Sequence, residues 1–140
     1  APLACSCFSD VLILPGGFGA AKNLSDFAIK GKEAAVHPEV HRLITEMADS
    51  QKPIGAMCIS PTVLAKVLEN RNPQVTIGND LGTAEAIEAM GGRHTVCEVD
   101  EILVDADNKL VTTPAYMIGP SIGSVARGIE KLVEKILEMA

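Results

Sequence analysis

Short apolar runs alternate with segments of helical period along almost the whole chain, and this alternation constrains the fold more than any other feature. "DVLILPGG" (10–17) is a buried-strand pattern closed by a Pro-Gly-Gly turn. "AAKNLSDFAI" (20–29) has helical spacing, and in 37–51 Val40, Leu43, Ile44 and Met47 share one helix face, with Pro38 in the first turn. "PIGAM" (53–57) is a second strand. It is followed by a helix over 60–70, with Ser60 as N-cap and Pro61 at the first helical position. "QVTIG" (74–78) is a third strand, and 83–92 a helix closed by glycine. "TVCEV" and "EILVD" are short strand candidates, and "ILVDADNKLVTT" reads as a hairpin turning at Asp107-Asn108. A closing amphipathic helix over 121–140 carries Val125, Ile129, Leu132, Val133 and Ile136 on its apolar side. Strands separated by helices predict an α/β fold: a mainly parallel sheet with helices on both faces, in one domain of 140 residues. Neither an internal repeat nor a linker interrupts it.

Composition narrows what such a domain binds. Hydrophobic residues are 47% and aromatics 3%, with no Trp, so the core is aliphatic and platforms for stacking bases are scarce. The net charge of -6 and the lack of a basic stripe exclude nucleic acid and an anionic membrane surface as expected partners. No apolar run reaches the roughly 18 residues of a membrane span. Cys5, Cys7, Cys58 and Cys97 form no C-x-x-C pair and are expected to be free thiols in a reducing compartment. That compartment is the cytoplasm, or mitochondria for a eukaryotic source.

Two corners carry chemistry. Cys58 lies between the strand at 53–57 and the helix that follows, and ligands of open α/β sheets sit beyond the carboxyl ends of strands. Ala56 and Ser60, two residues away on either side, are small, as a sharp strand-to-helix turn bearing a nucleophile requires. The helix start favours negative charge and hence the thiolate, and the amide of Ile59 is placed to meet an oxyanion. Cys97 has a weaker claim, being expected inside a strand, and His94 three residues earlier falls on the opposite strand face. At the other corner, "LPGGFGAAKN" approaches a phosphate loop but has Ala21 and Asn23 where that motif needs Gly and a hydroxyl. Gly16 and Gly17 instead offer a backbone amide to the Cys58 corner.

Taken together, "ILPGGFGAAKNLSDFA", "KPIGAMCISP", "VTIGND", "GTAEAIEAMGG" and "DADNKLVTTPAYM" resemble the ThiJ/PfpI superfamily of the class I glutamine amidotransferase-like fold, and within it the ElbB branch. The resemblance runs from about Asp10 to Ala140. It implies a flavodoxin-like parallel sheet with helices on both faces, Cys58 as the elbow nucleophile, and Gly17 and Ile59 as oxyanion-hole donors. It also implies substrate-binding positions at Gly16, Lys22 and Asn23, and no cofactor or metal. Two departures stand out. Ile59 occupies the place of the His that follows the nucleophile in peptidase-like members, and neither His37 nor His41 substitutes for it. Family members also carry a further N-terminal strand–helix region with a glutamate that meets the cysteine. Residues 1–9 contain no acidic residue, so the domain over 1–140 is expected to be N-terminally incomplete and self-associating, as a dimer. The function implied is a cofactor-independent, glyoxalase-like hydratase acting on small dicarbonyls such as glyoxal. The alternatives are a non-catalytic cysteine redox sensor or interaction protein, and a small-molecule amidase.

Overall fold

The structure, a computed structural model, describes residues 9–140; Cys5 and Cys7 lie outside the described residues. Strands β1 (Leu12–Leu14), β2 (Ile54–Met57), β5 (Leu103–Asp105) and β6 (Leu110–Thr113) form a four-stranded sheet in the order β1-β2-β6-β5. The pairs β1–β2 and β2–β6 are parallel, and β5–β6 is the antiparallel hairpin, turning through 106–109. The expected mainly parallel α/β architecture is therefore present, with its one antiparallel strand at an edge.

Alternation along the strands divides the core in two. Leu14, Ile54, Ala56 and Leu110 join one buried cluster, with residues of α2 (Pro38–Asp49), α3 (Pro61–Val67) and α4 (Leu81–Ala89). Met57 and Val111 face the other way, onto Val125, Leu132 and Ile136 of α5 (Ile122–Met139). The period of two in the strands thus produces helices on both faces. Gly55 belongs to this second face. A Cβ there would meet Leu132 Cδ2 at 2.9 Å, so its bareness lets α5 approach β2.

Several elements are shorter than their sequence patterns predict. The segment over 20–29 breaks into a π-helical turn, Ala20–Leu24, and the single-turn helix α1 (Phe27–Lys30). Ser25 is extended between them, and its hydroxyl accepts from Phe27 N at 3.2 Å, a local bond that competes with helix. The strand expected over 74–78 reduces to β3 (Gln74–Val75), paired in parallel with β4 (Arg93–His94) as a separate two-stranded sheet. Beyond Val75 the backbone finds side-chain acceptors in place of a ladder. Thr76 N donates to Thr112 Oγ1 at 3.0 Å and Ile77 N to His94 Nε2 at 3.2 Å. Buried Asp105 ties this small sheet to the large one by accepting from Gln74 N at 2.9 Å, and it also accepts from Asn108 Nδ2 in its own hairpin at 2.9 Å. "TVCEV" is not a strand: pairing stops after Thr95 N reaches Val75 O at 3.2 Å, and Cys97 lies in the connection to β5.

Candidate active site

The register Leu14↔Ala56 ends β1 and β2 at the same side of the sheet, so the glycine turn and the cysteine corner emerge together. Cys58 has φ +61°, the left-handed region that costs a non-glycine residue about 1–2 kcal/mol. The surroundings over-determine it. Its amide donates to Thr113 O of β6 at 3.1 Å, and Ser60 N closes the turn onto Met57 O at 3.1 Å. Gly16 presses against the corner from the β1 side. With φ +96°, a Cβ at that position would lie 2.6 Å from Met57 O and 2.7 Å from Cys58 Cβ. Ala115, just past β6, is a second non-glycine residue with positive φ on this edge, at +47°.

A cavity of about 240 Å³ opens at this convergence, lined by Gly17, Phe18, Ala21, Cys58, Ile59 and Met117. Three of the residues singled out by sequence, Gly17, Cys58 and Ile59, therefore meet on one surface. The amides of Gly17 and Ile59 make no backbone hydrogen bond among the described residues, whereas the amide of Cys58 is already engaged by Thr113. The Cys58 thiol that shares their cavity is half-buried.

Other sequence expectations fall elsewhere. Lys22 and Asn23 are exposed on the π-helical turn, and neither lines the cavity. Ser60 stands at the N-cap position of α3, with Pro61 opening the helix as expected, but its φ and ψ of -61° and -25° are already helical and its side chain makes no capping bond. The Ser60 hydroxyl is fully buried, with no partner among the described residues. His37 caps α2 by accepting from Glu39 N at 3.1 Å, and His41 is exposed on the same helix. Asp80 caps α4, accepting from Thr83 N at 3.0 Å and Thr83 Oγ1 at 2.6 Å, and these bonds hold its carboxyl below the usual range. Burial, followed by the carboxylates of Glu101, Glu98 and Asp100, pushes the Cys97 thiol up to about 11. Cys97 is therefore protonated at neutral pH and a poor nucleophile. Sequence reasoning missed Phe18, Ala21 and Met117 as site residues. The signal for Met117 was its place just past the end of β6, on the same sheet edge as the two recognised corners.

No family model matches the chain. A human protein described as "Glutamine amidotransferase-like class 1 domain-containing protein 3, mitochondrial" is 48% identical over 139 residues, covering 93% of this chain and 51% of that protein. A rat "ES1 protein homolog, mitochondrial" is 45% identical over 139 residues, with 93% and 52% covered. The chain is a homologue of the ES1, glutamine amidotransferase-like class 1 proteins. It spans about half the length of these relatives. The crystal structure of an isoprenoid biosynthesis protein with an amidotransferase-like domain from Ehrlichia chaffeensis superposes with a TM-score of 0.84 at 34% identity, covering 93% of this chain and 59% of that one. The flavodoxin-like layering described above is thus that of an ElbB-type, ThiJ/PfpI-like fold.

Proposed function

We propose that the Cys58 corner is the nucleophilic half of a cofactor-independent, glyoxalase-like site that hydrates glyoxal to glycolate. The observation that carries this reading is the shared cavity of Cys58 with Gly17 and Ile59, whose amides are free of backbone acceptors among the described residues. Cys58 Sγ adds to one aldehyde carbon, the carbonyl π pair moves onto oxygen, and the two amides hold the resulting alkoxide. Protonation gives a hemithioacetal. A base takes the proton on that carbon, the electron pair moves to give an enediol as the neighbouring oxygen is protonated, and loss of the first hydroxyl's proton with protonation of the neighbouring carbon converts the adduct into the thioester of glycolate. Water cleaves the thioester, releasing glycolate and restoring the thiol. The proton transfers need a base, and among the described lining residues no side chain other than the Cys58 nucleophile itself has an acid or base group. The further length of the relatives is where this reading places the base, which is typically worth about 10²–10⁴-fold. For a eukaryotic source the compartment proposed is the mitochondrion, as in the descriptions of the human and rat relatives.

A second reading has its own support. A thiol beside two amides with no backbone acceptor, and with no other titratable side chain in the lining, among the described residues, also suits oxidation, reversibly to a sulfenic acid and then onward to a sulfinic acid. Glyoxal consumption with a Cys58→Ser control separates the two. Cys58-dependent formation of glycolate is the expected result, weak for this chain alone and stronger for a full-length relative that supplies the base. No turnover by this chain or by a full-length relative, together with a two-oxygen mass gain at Cys58 under mild peroxide, would establish the sensor instead.

A further inference from the structure

Resting on the carbonyl-addition reading, we propose that the Cys58 cavity selects uncharged carbonyl compounds with an apolar substituent, that Phe18 and Met117 set this preference, and that free amino acids and 2-oxo acids are excluded. Among the described residues, Phe18, Ala21, Ile59 and Met117 supply the side chains around the thiol, and all four are apolar. A carboxylate or ammonium entering this lining gives up its water and meets no opposite charge among the described residues, a costly transfer. Lys22, the nearby cation that a carboxylate would need, is exposed and outside the lining. An apolar group gains where a charged one loses. Phe18 is 74% exposed, so its ring carries apolar surface that a bound substituent would cover. Met117, unbranched and adaptable, fits its thioether to substituents of different shape. The size agrees: a dry cavity of about 150 Å³ holds benzene, so about 240 Å³ has room for a phenyl or branched alkyl group beside the reacting carbonyl.

The test reads Cys58 alkylation, which needs no turnover. The thiolate displaces iodide from N-benzyl iodoacetamide, iodoacetamide or iodoacetate, and peptide mapping follows Cys58 alone. Rates are divided by those of 2-mercaptoethanol, in high salt that screens the net charge of -6. The expected normalised rate is at least about tenfold higher for the benzyl reagent than for iodoacetamide, and at least about tenfold lower for iodoacetate, each tenfold being about 1.4 kcal/mol. Phe18→Ala removes an exposed side chain and is expected to cut the benzyl preference to within about threefold of unity; Met117→Ala should lower it as well. Equal normalised rates for the three reagents overturn the inference even if glyoxal is consumed. A benzyl preference that survives Phe18→Ala and Met117→Ala together overturns the assignment of those two residues. A preference that behaves as expected, alongside no turnover of glyoxal or phenylglyoxal by this chain and by a full-length relative, upholds the selectivity and refutes the glyoxalase reading.

Discussion

A side chain at position 16 has nowhere to go, while one at 17 meets open space. Both glycines have positive φ, but only Gly16 has Met57 O and Cys58 Cβ within 3 Å of where its Cβ would stand. Gly17→Ala should therefore cost only backbone strain, about 1–2 kcal/mol. Gly16→Ala adds overpacking of about 1–3 kcal/mol to the same strain, and relief of the clash must move the thiol. Urea unfolding should rank the two in that order. Thiol titration kinetics should show Cys58 altered by Gly16→Ala and nearly untouched by Gly17→Ala; equal effects on both readouts would contradict the close approach. These corners were legible because small residues around a thiol at a strand end, and a Pro-Gly-Gly after an apolar run, are local signals. Phe18, Ala21 and Met117 were not, because their shared cavity exists only once β1, β2 and β6 lie side by side. Lys22 and Asn23 were placed at the site by resemblance alone, and the π-helical turn carries them to solvent.

Among the elements, the small β3–β4 sheet depends on the charge state of one ring. His94 Nε2 accepts from Ile77 N at 3.2 Å, which only the neutral imidazole can do, and Glu88 Oε1 accepts from the His94 amide at 2.8 Å. Burial lowers the His94 pKa from 6.5, with the Glu88 charge opposing. A base whose folded value is depressed binds fewer protons folded than unfolded. Its stabilising contribution is therefore present above pH 6.5 and lost as pH falls through the lowered folded value. Urea midpoints measured from pH 8 down to pH 5 should be level and then decline below about 6.5. His94→Gln should flatten that decline, and exchange of the Ile77 amide should accelerate over the same interval. An unchanged pH profile in His94→Gln would remove His94 from the account. The same region shows why strand lengths were misread. "QVTIG" has the composition of a full strand, yet Thr76 and Ile77 bond to side chains of Thr112 and His94, partners 36 and 17 residues away that no local pattern announces. The long amphipathic helices α2 and α5 and the β5–β6 hairpin, whose signals are local, match their predicted positions closely.

For the whole molecule, the outer edge of β1 is the exposed consequence of the strand order. Among the described residues β1 pairs with β2 alone, and an unpaired strand edge invites pairing with another chain. Phe18 and Ile29, 74% and 77% exposed, add apolar surface in the chain that follows it. The chain is expected to self-associate: light scattering should give the mass of a dimer or larger, and outward amides of β1 should gain protection from exchange as concentration rises. A monomer at all concentrations, with those amides unprotected, would contradict this. Within each copy, labour is divided between main chain and side chains. The main chain that carries the sulfur is held by the amide of Cys58 donating to Thr113 O and that of Ser60 donating to Met57 O, and by the bareness of Gly16, none of which depends on what the cavity-lining side chains are. The lining can therefore be rewritten, at Phe18 or Met117, without displacing the nucleophile. Reactivity and selectivity are in this sense separately adjustable, the first through the peptide framework and the second through a handful of replaceable apolar groups.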